Sequence, residues 1–157
     1  MSSDSPPTIH AGDHPPTIHA TAVAIGGAGR WRAVLITGPP GSGKSDLALR
    51  LIDRGAVLIA DDRVVVRQAG DRLLAAPPPT IAGLIEVRGV GIVTLPFVAD
   101  VVVALLVDLA LSPVRLPAAT TCDVGGVAIP TVALDAREVS AALKVERALV
   151  AFGSDRR

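Results

Sequence analysis

Gly38-Pro39-Pro40-Gly41-Ser42-Gly43-Lys44-Ser45 decides the fold, because it satisfies G-x-x-x-x-G-K-[ST] at every defined position. Its flanks are those the motif requires. Ahead of it, Ala33-Val34-Leu35-Ile36-Thr37 is a short apolar, β-rich run of the kind that makes a buried strand. Behind it, Ser45 to Arg54 carries apolar residues at helical spacing and meets a natural stop at Gly55. A strand–loop–helix of this kind cradles phosphate. Glycines let backbone N–H groups turn inward, and the helix N-terminus adds partial positive charge. Lys44 then reaches the β- and γ-phosphates, and the Ser45 hydroxyl is a ligand for Mg²⁺. The whole stretch Gly38, Pro39, Pro40, Gly41, Ser42, Gly43, Lys44 and Ser45 is therefore expected to hold a nucleoside triphosphate.

Working outward, the 157 residues are expected to form one domain with its own core. Half of them are apolar, and Trp31, Phe97 and Phe152 are the aromatics, so the core is aliphatic, as in α/β proteins with covered parallel strands. Net charge is zero, which supplies no global field for nucleic acid. The single Cys122 excludes an internal disulfide, fits a reducing cytoplasm, and reads as a small buried hydrophobe. The longest apolar stretch, residues 97–114, is broken by Asp100 and Asp108 and ends in Ser112-Pro113, so it is not a membrane span. No secretory signal is visible at the N-terminus, and a cytoplasmic location is expected.

Residues 1–17 are polar and Pro-rich, and are expected to be a loosely attached tail. Within them Pro6-Pro7-Thr8-Ile9-His10-Ala11 recurs as Pro15-Pro16-Thr17-Ile18-His19-Ala20, and only the second copy leads into a strand-like run, residues 22–25. Residues 18–153 form the expected phosphate-loop domain and 154–157 a short end. Gly26 to Gly29 reads as a hairpin turn into the strand before the loop, and Gly70-Asp71 and Gly125-Gly126 mark two further hairpins. Strands are expected at 56–60 and 101–109. A last helix is expected from about 136 to 152, with Val139, Ala142, Leu143, Val145, Leu149 and Phe152 on its apolar face. The fold class is α/β, a mixed sheet with many hairpins and few helices.

The strand at 56–60 closes on Asp61-Asp62, only sixteen residues after Ser45. Mg²⁺ needs a hard oxygen opposite the Ser hydroxyl, and one carboxylate suffices for that. The second is free to act as a general base toward an attacking hydroxyl.

Together with Thr37–Ser45 and Ala60-Asp61-Asp62, the segment Gly83-Leu84-Ile85-Glu86-Val87-Arg88-Gly89-Val90-Gly91-Ile92 resembles the HPr kinase/phosphorylase family. In that family a phosphate loop, an Asp pair and an E-[IV]-R-G-x-G-I signature follow in this order. The resemblance covers roughly residues 17–150, the family's C-terminal catalytic domain, and implies its P-loop fold. It implies an ATP- and Mg²⁺-dependent protein-serine kinase whose substrate is the phosphocarrier HPr of the sugar phosphotransferase system. It assigns Lys44 to the phosphates, and Ser45 and Glu86 to Mg²⁺ with Asp62 in the same metal set, while Arg88 by its own fork of donors is a candidate for phosphate contact. Asp61 and Asp62 both remain candidates for the base, and the residues do not divide the two roles. His19 matches the family's catalytic His, whereas His10 is its unattached copy. Family members that assemble as hexamers imply a homo-oligomer. In place of the family's P-[VL]-R-P-G-R-N-L-A run stands Leu134-Asp135-Ala136-Arg137-Glu138-Val139-Ser140, where only Arg137 corresponds. Asp135 and Glu138 flank it, so Arg137 is expected to pair with one of them, which weakens a phosphate-dependent reverse reaction. The rival readings are a P-loop small-molecule kinase and a non-catalytic ATP-sensing module.

Overall fold

The computed structural model describes residues 16–26 and 30–155. The first copy of the repeat, the turn residues 27–29 and the last two residues lie outside the described residues. In chain order come β1 (Thr17–His19), β2 (Thr21–Ile25), β3 (Arg32–Thr37), α1 (Lys44–Asp53) and β4 (Val57–Ala60). Then follow β5 (Arg63–Ala69), β6 (Arg72–Ala76), β7 (Leu84–Val87), β8 (Gly91–Thr94) and β9 (Val101–Asp108). The chain ends with β10 (Thr120–Val124), β11 (Val127–Ala133) and α2 (Ala141–Phe152).

Nine strands form one sheet in the order β1-β5-β6-β9-β3-β2-β4, with β11 also on β9 and β10 on β11. The strand β9 is its trunk. It runs parallel to β3 along one edge, whereas its other edge is shared by β6 near the start and β11 near the end. Burial on both sides explains its near-continuous apolar run. The order of the first strands places β2 between β3 and β4, antiparallel to both. Consequently β3, β4, β9 and β11 all point their C-terminal ends the same way, and the loops leaving those ends gather at one edge. In sheets of this type that edge is where ligands bind.

The two faces of the trunk are covered differently. One carries α1 and α2 over a cluster that includes Ile36, Leu47, Leu51, Leu105, Val107 and Val145. The other is closed by strands, with Ile59, Val64, Leu73, Val103 and Ile129 packed on Leu35. An aliphatic core on both sides is the expectation, and with two α-helices among the described residues the second cover is a folded-back set of hairpins. The two helices are locked together by Arg54, which donates Nη2–H to Glu146 at 2.8 Å and Nε–H at 3.0 Å.

Four expectations are corrected here. The last helix starts at Ala141, not near 136, because Asp135 diverts the chain: its Oδ1 accepts the Arg137 N–H at 2.9 Å and holds a turn. Val139, at 99% exposure, and Leu143 are therefore outside the core, while Ala141 and Ala148 are in it. Cys122 is exposed, since β10 pairs only with β11 and buries only its last residue. The tail boundary at residue 17 falls inside β1, and Pro16 already accepts the Val66 N–H. Ser154, placed in the expected C-terminal end, is pinned by donating its N–H to Ala104 and accepting from Arg32.

Leu105 lies fully buried at the centre of the trunk. Leu105→Ala is expected to destabilise the fold by roughly 2–5 kcal/mol, whereas Val139→Ala should stay within about 0.5 kcal/mol. Urea unfolding midpoints at constant m-value measure the contrast.

Candidate active site

The loop between β3 and α1 is shaped by its glycines. Gly43 sits at φ +95°, where a side chain is strained, and a Cβ there would lie 3.0 Å from the Ala136 Cβ. A Cβ on Gly38 would fall 2.5 Å from the Ser42 hydroxyl. The helix α1 begins at Lys44 without a side-chain cap, which leaves its first N–H groups open toward the loop. The Lys44 side chain is buried, and its Nζ donates to the Gly38 and Pro39 carbonyls at 2.8 and 3.1 Å. Among the described residues this ammonium has no carboxylate partner. The Ser42 hydroxyl is likewise buried and has no hydrogen-bond partner. A buried cation and an orphaned hydroxyl in a glycine cradle fit an anionic ligand.

The two aspartates that end β4 face opposite ways. Asp61 is buried at 6% exposure, and its carboxylate accepts from three elements. Ser45 Oγ donates to Oδ1 at 2.6 Å, Thr21 Oγ1 donates to the same oxygen at 3.0 Å, and the Glu86 N–H donates to Oδ2 at 3.0 Å. Asp62 adopts φ +68°, and the Arg63 N–H closes the turn on the Asp61 carbonyl at 2.7 Å. A three-residue turn with a non-glycine at positive φ is rare and costs on the order of 1–3 kcal/mol. It swings the Asp62 side chain outward, to 64% exposure, where Oδ1 meets His19 Nε2 at 3.1 Å.

The expected set is thus partly assembled and partly reassigned. Asp62 was grouped with Ser45, but the carboxylate against Ser45 is that of Asp61, because the turn sends Asp62 to His19. His19, from β1, stands beside the pair because β1 runs along β5 in the register His19↔Arg63. Glu86 enters through its backbone, and its side chain is exposed on β7. Arg88 is exposed in the β7–β8 turn and has no ion pair among the described residues. Arg137 lines an open cleft of about 340 Å³ with Gly41, Ser42 and the segment 109–113. Its guanidinium, however, is spent on Asp135, with Nε and Nη2 donating at 3.1 and 3.0 Å, while Glu138 takes Lys144. The Arg137 hydrogen bonds hold the Asp135 carboxyl below the usual carboxylate range and raise the arginine in turn.

Two participants escaped the sequence reading. Thr21 is fully buried, and besides donating to Asp61 it accepts the Asp62 N–H at 3.4 Å. Nothing local marks it, since its role depends on β2 lying beside β4. Arg50 of α1 donates to the Ala136 and Glu138 carbonyls and so fastens the Arg137 turn to the loop's helix. Size does not mark the site. A larger cavity of about 590 Å³, between Trp31, Arg32 and Val98–Val102, opens at the opposite end of β3 from Lys44.

Among the described residues no three His, Cys, Asp or Glu side chains gather into a ready-made metal cage. The donors at hand, the Ser45 hydroxyl and the Asp61 carboxylate, are hard oxygens. That sparse set fits Mg²⁺, which commonly keeps waters and shares its ligands with phosphate.

A glycine loop on a helix N-terminus, at the carboxyl ends of the strands and beside an Asp pair, defines a P-loop nucleotide-binding protein of mixed α/β type. Its family follows from comparison with known proteins. The model of the HPr Serine kinase C-terminal domain matches residues 14–99, and the chain belongs to that family. It is 46% identical over 63 residues to the HPr kinase/phosphorylase of Clostridium tetani, an alignment that covers 40% of this chain and 21% of that protein. The solved structure of the Hpr(Ser) kinase/phosphatase from Coxiella burnetii superposes with a TM-score of 0.72 at 27% identity, over 87% of this chain and 95% of that one. No helix among the described residues is long and apolar enough to cross a membrane.

Replacing each aspartate by Asn is expected to separate their tasks. Asp61→Asn should raise the Mg²⁺ concentration needed for half-maximal activity. Asp62→Asn should lower kcat by about 10²–10⁴-fold at saturating Mg²⁺. His19→Ala should cost activity where His10→Ala does not. Mg²⁺ titrations of the steady-state rate distinguish the cases, and identical profiles for both Asn variants would contradict the division.

Proposed function

We propose that the chain is an ATP-dependent protein-serine kinase that phosphorylates the phosphocarrier HPr. The observation that carries this reading is the pair of opposed carboxylates: Asp61 buried against Ser45 at the phosphate loop, and Asp62 held open to solvent against His19. The family membership and the Coxiella burnetii structure support it.

In this reading the loop N–H groups and Lys44 hold the nucleotide phosphates, so that the two carbonyls now bonded to Lys44 give up its ammonium to the ligand. Ser45 and Asp61 would hold the Mg²⁺, with Glu86, exposed on β7, as a further oxygen donor. When bound, the ion would neutralise charge on the nucleotide phosphates. Asp62 accepts the proton of the acceptor serine, and His19 fixes the carboxylate that does so. Its exposure suits a hydroxyl that arrives on another protein. The serine oxygen forms a bond to the γ-phosphorus as the bond to the β–γ bridging oxygen breaks, and ADP leaves with that oxygen. Positioning and electrostatics do most of the work. The exposed apolar residues Leu143 and Val150 on α2 support self-association into a homo-oligomer, and a soluble cytoplasmic setting accords with the free Cys122.

Purified HPr and γ-labelled ATP test the reading. Transfer of label to a serine is expected, with loss of transfer in Lys44→Ala while far-UV circular dichroism is unchanged. Label found on small hydroxylic metabolites instead would favour a small-molecule kinase, and ATP binding with no transfer a sensing module.

The reverse reaction should be the weaker one. Attack of inorganic phosphate on phosphoserine needs a free cationic anion site, and Arg137 is paired with Asp135. Seryl-phosphorylated HPr with Mg²⁺ and millimolar phosphate is expected to release pyrophosphate well below the forward rate. Asp135→Asn, which frees the guanidinium, should raise that release.

A further inference from the structure

Among the described residues, the three-stranded surface β1–β5–β6 has one side with no helix on it. Residues opposite one another in a strand pair project to the same side. The registers His19↔Arg63, Thr17↔Val65 and Arg67↔Leu74 therefore put these six residues on one face. The alternating residues Val64, Val66, Leu73 and Ala75 are buried in the core on the other face. Both helices belong to the cluster on the far side of the trunk, so nothing of theirs covers this surface.

The face has a half-buried apolar middle, Val65 and Leu74, and a cationic edge. Arg63 is exposed and has no carboxylate partner among the described residues. Arg67 has only Asp100, at 3.9 Å between two well-exposed side chains, a separation at which an ion pair contributes little. The face is continuous with the active site, since His19 is the cross-strand neighbour of Arg63 and holds Asp62.

We propose that this outward face of β1, β5 and β6 is the docking surface for the acceptor protein, which meets Arg63 and Arg67 with carboxylates close to its acceptor serine. The inference rests on the reading that Asp62 takes the proton of a hydroxyl carried by a protein. A serine delivered to Asp62 brings its own surface across the neighbouring strands. The neighbouring face on the His19 side, which no described helix covers, is apolar at its middle and positive at its edge, a pattern that steers and registers an acidic partner.

The test measures KM and kcat for HPr at saturating ATP, at low and moderate salt, in the unmodified chain, in R63E/R67E and in R63K/R67K. Charge reversal is expected to raise KM for HPr by about tenfold or more, with kcat within about twofold and acceptor-independent ATP hydrolysis unchanged. The Lys pair should stay within about threefold of the unmodified chain. Added salt should raise KM in the unmodified chain and leave it flat or lower it in the reversed one. An unchanged KM, or a loss confined to kcat, overturns the docking face and leaves the kinase reading in place. A change of oligomeric state by light scattering in R63E/R67E, with KM unaltered, assigns the face to a second copy and overturns it too. If the unmodified chain neither phosphorylates nor binds HPr, the kinase reading falls, and the docking face with it.

Discussion

One carboxylate holds the active edge together. Asp61, at the end of β4, is the common acceptor for Ser45 at the start of α1, Thr21 at the start of β2 and the backbone of Glu86 on β7. These partners lie 16, 40 and 25 residues away, and they belong to otherwise separate pieces of structure. The β7–β8 hairpin is a two-stranded sheet of its own, and such a unit is marginal in isolation. It is kept in place by the burial of Ile85 in the core and by this hydrogen bond to Asp61. A buried carboxylate is costly unless its oxygens are satisfied, and three donors satisfy it here. The penalty of leaving any donor unmet makes the arrangement specific.

The neighbouring Asp62 could have doubled the burial problem. Two adjacent carboxylates on one side of a strand end would repel and share a single set of donors. The tight turn at φ +68° resolves this by sending the second one out to His19. The backbone strain of that turn is opposed by the Arg63 N–H bond to the Asp61 carbonyl and by the Ala20 N–H bond to the Asp62 carbonyl. Two chemically identical side chains thus acquire different surroundings, one dry and anchored and the other wet and accessible. The proposed phosphoryl transfer would draw on that difference, with one group beside the phosphate loop and the other open to an incoming hydroxyl.

How much of this the sequence made legible follows from how local each feature is. The phosphate loop, its strand and its helix are contiguous, and Gly43 and Lys44 carry their reasons within eight residues. The hairpins at Gly70-Asp71 and Gly125-Gly126 are likewise local, and they occur where the turn residues place them. The division of Asp61 from Asp62 was not legible. It depends on Thr21 reaching across from β2 and on the Glu86 N–H arriving from β7, neither of which any pattern near residue 61 encodes. The start of the last helix was misread because periodicity counted Val139 as a face residue. The Asp135 side chain offers the Arg137 N–H a better local partner than a helix would.

The scarcity of helices ties fold to function. In a regular doubly wound sheet, helices would cover both faces, and the strand edges beside the phosphate loop would be shut in. Here α1 and α2 share one face, and the chain closes the other by turning β5 and β6 back over it, with β1 added along β5. A sheet used as a cover has an outer side of its own. That side begins at His19, one residue pair from the open carboxylate, so among the described residues no helix stands over the sheet next to Asp62. The β1 edge contributes little burial and exists as three residues. Its place is held by the Ala20 and Val66 backbone bonds at its two ends and by the histidine in between, so the strand that carries His19 is kept by the same contacts that bring His19 to Asp62.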